Sequence, residues 1–165
     1  MTAINWTDDH NAGALRFDNN HREFVEIISY LNKSIVAGID RAKLLTFIDN
    51  IIALAARQFR HEEERFVAAN YPNASTHKGL HKVALEVLVH FRNDIMHGDP
   101  IVLARELWLW SKGWVLLHIQ GEDRQCGAFL NSKAVCQPCE EETLNVAFLP
   151  GVRQNARHAL YQAAA

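Results

Sequence analysis

Four stretches of this chain repeat apolar side chains at steps of three and four residues, the spacing that puts them on one face of an α-helix. The first spans about residues 18–36, where Phe17, His21, Phe24, Ile28 and Leu31 form the stripe. Ala37-Gly38 ends it, and Asp40 is placed to cap the next helix. The second spans about 41–69, with Leu44, Ile48, Ile51, Ala55, Gln58 and Glu62 in line, and Tyr71-Pro72-Asn73 stops it. The third spans about 75–96 along His77, His81, Ala84, Leu88, Phe91 and Ile95, and Gly98 closes it. Asp99-Pro100 supplies an N-cap followed by proline at the first helical position. The fourth then runs past residue 118 along Leu103, Leu107, Trp110, Trp114 and His118. No strand alternation competes. Four long helices on short connections predict an all-α, up-down-up-down four-helix bundle. From about Cys126 the pattern changes, and Pro138, Pro150 and Gly151 mark irregular chain. The expected division is a bundle over residues 1–130 and a C-terminal extension over 131–165, packed on it.

Composition bounds what such a bundle can do. With 165 residues, 48% of them apolar and 22% charged, one buried core is within reach. The net charge of -2 leaves no basic surplus for phosphate contacts, so no nucleic-acid partner is expected. Residues 1–10 carry Asp8 and Asp9 and no apolar run, so no signal peptide is expected. Asp49, Arg57 and Lys112 interrupt the longest apolar stretches, so no membrane span is expected either. Three cysteines are an odd number, which argues against a disulfide framework and for a reducing, cytoplasmic setting. Nine histidines stand out, because imidazole is the commonest metal-ligating side chain.

Six polar residues interrupt the apolar stripes: His21, Gln58, Glu62, His77, His81 and His118. A charged or polar group in a core is costly unless it is paired or bound to a metal. One such histidine is usually a hydrogen-bonded core residue. Six are harder to dismiss, because of where they fall. His21 starts the first helix, Gln58 and Glu62 end the second, His77 and His81 start the third, and His118 ends the fourth. In an up-down bundle those four positions share one end. His77 and His81, like Gln58 and Glu62, are four apart and project from one helix face. Asp123 lies five residues after His118, out of line on a regular α-helix. A π-type turn near Gly121, or a fraying helix end, would bring it inward. Four histidines, two carboxylates and one Gln are enough donors for two ions. Mixed imidazole and carboxylate suits iron or manganese better than a structural zinc.

In this order and at these intervals the residues resemble the hemerythrin family, in its bacterial single-domain form, over about residues 4–124. The resemblance rests on Trp6 and Gly13, then Asp18-Asn19-Asn20-His21 for D-x-x-H. Gln58-Phe59-Arg60-His61-Glu62-Glu63 follows for H-F-x-x-E-E. Tyr71-Pro72 precedes His77-x-x-x-His81, and Trp114-x-x-x-His118-Ile119-x-x-x-Asp123 closes the series. It implies a non-haem centre of two iron ions, oxo- or hydroxo-bridged, that takes up dioxygen reversibly. It further implies that His77, His81 and His118 bind one iron, and that His21 and the residue at 58 bind the second. Glu62 and Asp123 would bridge the two. One departure stands out: position 58 is Gln where the family has His. His61 is the nearby alternative. At about 100° per residue, Gln58 lies roughly 60° from the centre of the apolar face of its helix, and His61 about 120°. Gln58 is the better placed, and a site rewired through His61 is the other reading.

The remaining residues read more plainly. Trp6, Phe17, Phe24, Phe59, Phe66, Trp110 and Trp114 are expected in the core, some of them lining a dioxygen pocket. His10, His90, His97 and His158 are expected at the surface. Glu63 and Glu64 suit a solvated face, with Glu63 also able to orient a ligand. Cys136-Gln-Pro-Cys139, with Cys126 near it, has the spacing of a redox pair or half a zinc site, but no second C-x-x-C completes one. A structural role, a thiol switch and metal binding stay open. The expected function is dioxygen binding for storage, delivery or sensing, in a binding protein rather than an enzyme. The alternatives are a di-iron enzyme acting on peroxide or nitric oxide, and a metal-free interaction bundle.

Overall fold

A computed structural model describes Thr7, Asn11, Ala12 and residues 15–133. Four helices carry the fold: α1 (Leu15–Val36), α2 (Arg41–Ala69), α3 (Ala74–Ile95) and α4 (Pro100–His118). A π-helical turn, Ile119–Asp123, follows α4 without a break and leads into α5 (Arg124–Ser132). There is no strand among the described residues. α2 packs along α3, and α1 along α4, which gives the four-helix bundle that the periodicity predicts.

The helix ends follow from local chemistry. Gly38 at φ 81° turns the chain out of α1. Asp40 caps α2, its carboxylate accepting from Lys43 N at 2.8 Å. α2 ends at Asn70 in the left-handed conformation, φ 53°, whose N–H reaches Phe66 and Val67 carbonyls. Asp99 caps α4 by accepting from the N–H groups of Ile101 and Val102, with Pro100 at the start of the helix.

The core falls into two apolar clusters. The larger includes Phe24, Ile28, Leu31, Ile48, Phe59, Leu88, Leu107 and Ile119. The smaller joins Ala12, Phe66, Ala69, Tyr71, Cys126 and Leu130. Along α2 the order is Phe59, Glu62, Phe66; along the α4–α5 rod it is Val115, His118, Asp123, Cys126. The polar layer is therefore sandwiched between apolar layers on both sides. α5 supplies part of the outer one, so the bundle rod continues past Cys126, where the sequence pattern weakens.

On α4 the buried face differs from expectation. Ala104, Leu107, Trp108, Ser111 and Val115 are buried, while Leu103, Trp110 and Trp114 are half-buried against the core. A helix this apolar offers more than one face that could turn inward, and packing against α1 chooses between them. Phe24, Phe59 and Phe66 are buried as expected. Trp6 and the Phe17 side chain lie outside the described residues, as do His10, His158, Cys136, Cys139 and the extension beyond residue 133. His90 and His97 are exposed. No helix among the described residues is long and apolar enough to cross a membrane.

Candidate metal centre

Each intruding polar residue is buried, and the bundle brings most of them to one point. Ligand-type atoms of Glu62, His77, His81, His118 and Asp123 all lie within 4.8 Å of one another. His77 Nε2 is 3.0 Å from His118 Nε2, and His81 Nε2 is 3.1 Å from the same atom. One nitrogen thus faces two others. A neutral imidazole nitrogen either carries one hydrogen or accepts one, so His118 Nε2 cannot complete well-formed hydrogen bonds with both. Three lone pairs aimed at one point are what a cation requires. Two nitrogens each about 2.1 Å from an ion and at right angles would be about 3.0 Å apart, close to these distances.

The carboxylates border the same point. Asp123 Oδ1 is 3.2 Å from His77 Nε2 and 3.4 Å from His118 Nε2, while its Oδ2 is 3.0 Å from His21 Nε2. Glu62 Oε2 is 3.3 Å from His81 Nε2, and its Oε1 is 3.9 Å from His21 Nε2. Each carboxylate thus has one oxygen toward the three-histidine group and one toward His21. Glu62 Oε2, both Asp123 oxygens and Gln58 Oε1 are buried without a well-aligned hydrogen bond among the described residues. Buried acceptors left so are expensive. A donor set of this kind fits metal ions of the sort that imidazole and carboxylate share.

Asp123 reaches the cluster through the π-helical turn. Five residues of α-helix would leave positions 118 and 123 about 140° apart. Here Arg124 N–H bonds to Ile119 O, five residues back, and the wider turn aligns them. The π-type turn anticipated near Gly121 is therefore present.

Burial and charge set the protonation. Burial pushes His81 down to about 4 and His118 down to about 3, so both are neutral, with lone pairs free for a ligand, at ordinary pH. Burial raises Glu62, and the neighbouring Asp123 carboxylate raises it further. Burial also works to raise Asp123, but the imidazoles of His21 and His77 outweigh it and hold the group below the usual carboxylate range. Burial works to lower His21, and Asp123 with Glu62 and Asp18 outweighs that and raises it. Without a cation, one of the two carboxyls resists ionising, which is the sign of a site short of positive charge.

Aromatic rings fix the three clustered imidazoles. Phe59 stacks on His81 at 3.9 Å, Trp114 on His118 at 4.4 Å, and Phe66 lies 4.6 Å from His77. Glu63 Oε1 sits 3.1 Å from His81 Nδ1, orienting that ring from the other side. A small cavity of about 10 Å³ adjoins the cluster, walled by His21, His118, Phe24, Phe59, Trp114 and Val115 among others. It has room for one water-sized body. A larger open groove of about 460 Å³ runs along α3 past Lys78, Lys82 and Val89, but it meets only the outer side of His81 and does not exclude water.

Gln58 is buried on α2, whereas His61 is half-buried and outside the cluster. Gln58 does not line the cavity; its amide is bonded to α1, where Nε2 donates to Asn20 O at 3.2 Å and Glu23 Oε2 at 3.3 Å. The sequence gives no sign of this role for Glu23, which carries no recognisable spacing relative to Gln58. The aromatic partners of the histidines were visible only as core residues. Asp18 is structural: its carboxylate accepts from Ala12 N at 2.6 Å. Cys126 is fully buried, and burial pushes its thiol up to about 12, so it is not a reactive thiolate.

The fold and site define a four-helix bundle with a buried, metal-capable cluster of histidines and carboxylates. No protein-family profile matches the chain. Individual proteins do. A bacteriohemerythrin of Stenotrophomonas maltophilia (strain R551-3) is 30% identical over 138 residues, 81% of this chain and 88% of the relative. One of Pseudomonas aeruginosa (strain LESB58) is 26% identical over 123 residues, 74% of this chain and 78% of the relative. Another, from Ralstonia nicotianae, is 25% identical over 79% of this chain and 90% of the relative. The chain belongs to the hemerythrin family, alongside these bacteriohemerythrins. In fold it is also similar to a solved crystal structure of a leucine-to-phenylalanine mutant, with a TM-score of 0.68, 19% identity and coverage of 79% of this chain and 98% of that one.

Proposed function

We propose that the chain holds two iron ions in this cluster and binds dioxygen there. His77, His81 and His118 would hold the first ion, His21 and Gln58 the second, and Glu62 and Asp123 would bridge them. The observation that carries the reading is the convergence of three imidazole nitrogens, two pairs of them 3.0 and 3.1 Å apart, beside two buried carboxylates. Family membership supports iron as the metal. When bound, the iron supplies the electrons for reversible dioxygen uptake, chemistry that no side chain of the cluster performs.

The protein's part is to position and to exclude. His81 and His118 stay neutral, so no proton competes for their nitrogens near neutral pH. Glu62 and Asp123 offer one oxygen to each side and together neutralise two positive charges. The cavity admits a small ligand next to His21, and Phe24, Phe59 and Trp114 keep bulk water from it. The outer apolar cluster of Phe66, Tyr71, Cys126 and Leu130 closes the end of the bundle. Storage, delivery and sensing use the same centre.

The test is metal content together with an absorption spectrum under anaerobic, oxygenated and peroxide-treated conditions. Two irons per chain and a spectrum that changes reversibly with oxygen support the reading. Two irons with no reversible change, but with turnover of peroxide, would move the assignment to an enzyme. A metal-free chain would end it.

A further inference from the structure

The Gln58 amide is held by two acceptors on one turn of α1. Its Nε2 donates to Asn20 O and to Glu23 Oε2, both contacts being at the long end of hydrogen-bond distance. Glu23 Oε2 is itself held by Arg57 Nη2 at 3.4 Å. Rotating the amide by half a turn would press Oε1 against a carbonyl oxygen and a carboxylate, acceptor on acceptor. The neighbours therefore decide which amide atom is spoken for. Oε1 remains, buried and without a partner among the described residues, on a side chain only 1% exposed. It is the lone pair that the amide can still offer.

We propose that Glu23 is a positioning residue for the second ion, holding Gln58 so that its oxygen completes a set of one nitrogen and three oxygens that admits manganese beside iron. The inference rests on the two-ion reading above. The oxygens are those of Gln58, Glu62 and Asp123, and the nitrogen is that of His21. The first position, by contrast, has three imidazoles and two carboxylate oxygens. Imidazole suits iron, whereas carboxylate and carbonyl oxygen suit manganese. Iron binds more tightly than manganese to a given donor set, but the gap is narrower where oxygen dominates. The centre then discriminates between its two ions: the first position selects iron, and the second accepts manganese when manganese is in excess.

Metal-free full-length chain is loaded anaerobically with iron(II) and an excess of manganese(II). Metals are counted per chain by mass spectrometry, and bound manganese is read by electron paramagnetic resonance. The expected result is one iron and one manganese in the natural chain, and two irons in Gln58→His. Glu23→Ala should weaken the second ion by about 10- to 100-fold, with the first retained. Glu23→Gln still offers Gln58 an amide oxygen to donate to, so it should restore most of that affinity and the manganese signal. Two irons in the natural chain under manganese excess would overturn this proposal and leave the two-ion reading standing. So would a Glu23→Ala chain with unchanged metal ratio and affinity. Failure to bind any metal would overturn both.

Discussion

The two halves of the centre are built to different standards. The half on α3 and α4 has three imidazoles, each against an aromatic ring, and His81 is oriented further by Glu63. The half on α1 and α2 has one imidazole and an amide, with the small cavity beside His21. The cavity lies between the halves, walled by His21 and Phe24 from one and by Phe59, Trp114 and His118 from the other. The contrast between the halves is therefore one of donor set and of ring support, not of space.

The contrast can be broken most completely at the element both halves share. Inserting one alanine after Gly121 would put Asp123 six positions beyond His118, about 240° round an α-helix, and swing it away from the cluster. Metal content should fall below one ion per chain while circular dichroism still reports a helical bundle; an insertion variant holding two ions would refute the role of the turn. The next effect separates the halves. His118→Ala should remove the first ion outright, whereas Gln58→Ala should lower occupancy of the second and spare the first. Chelator competition on each variant measures this, and equal losses would mean that the halves are not distinct. Glu63→Gln should cost less, about 10- to 100-fold in affinity for the first ion alone.

A smaller effect appears in the pH dependence of the metal-free protein. An unfolded histidine takes up its proton near 6.5, but His81 resists to about 4 and His118 to about 3. Stability is therefore lost as pH falls below 6.5. Glu62, raised in the folded state, works the other way in that range, with one proton against two. Above 6.5 Glu62 and His21 retain protons that the unfolded chain has released, so stability falls again. Denaturant midpoints should peak near pH 6.5, and metal should flatten the alkaline side by ionising Glu62. A metal-free midpoint that climbs steadily to pH 8 would contradict this account. The smallest effect is at the far end of the bundle. A Cβ at Gly98 would meet Leu103 Cδ1 at 2.6 Å and Asp94 O at 3.2 Å. Gly98→Ala should cost about 1–3 kcal/mol of stability by crowding, with metal content unchanged.

Much of this was legible along the chain, because it is local. Helical periodicity, the Asp40 cap and the Asp99-Pro100 start depend on residues within one or two turns of each other, and the helices begin and end where those signals stand. The polar layer was legible for the same reason: a histidine or glutamate in an apolar stripe is an anomaly of spacing. Even the π-helical turn was one of the two readings that the five-residue interval from His118 to Asp123 allowed, and the fold chose it over a fraying end. What the tertiary structure alone decided depends on partners far apart in sequence. Which face of α4 turns inward was settled by packing, which buried Trp108 and left Trp110 and Trp114 at the margin. The stacking of Phe59 on His81 and Trp114 on His118 joins different helices or successive turns of one, and periodicity marks those rings only as apolar. The Gln58 amide is turned by Asn20 and Glu23, 38 and 35 residues away. A one-dimensional pattern can say that a side chain faces inward. Which of its atoms is left over for a ligand is set by hydrogen-bond partners that only the folded chain brings within reach.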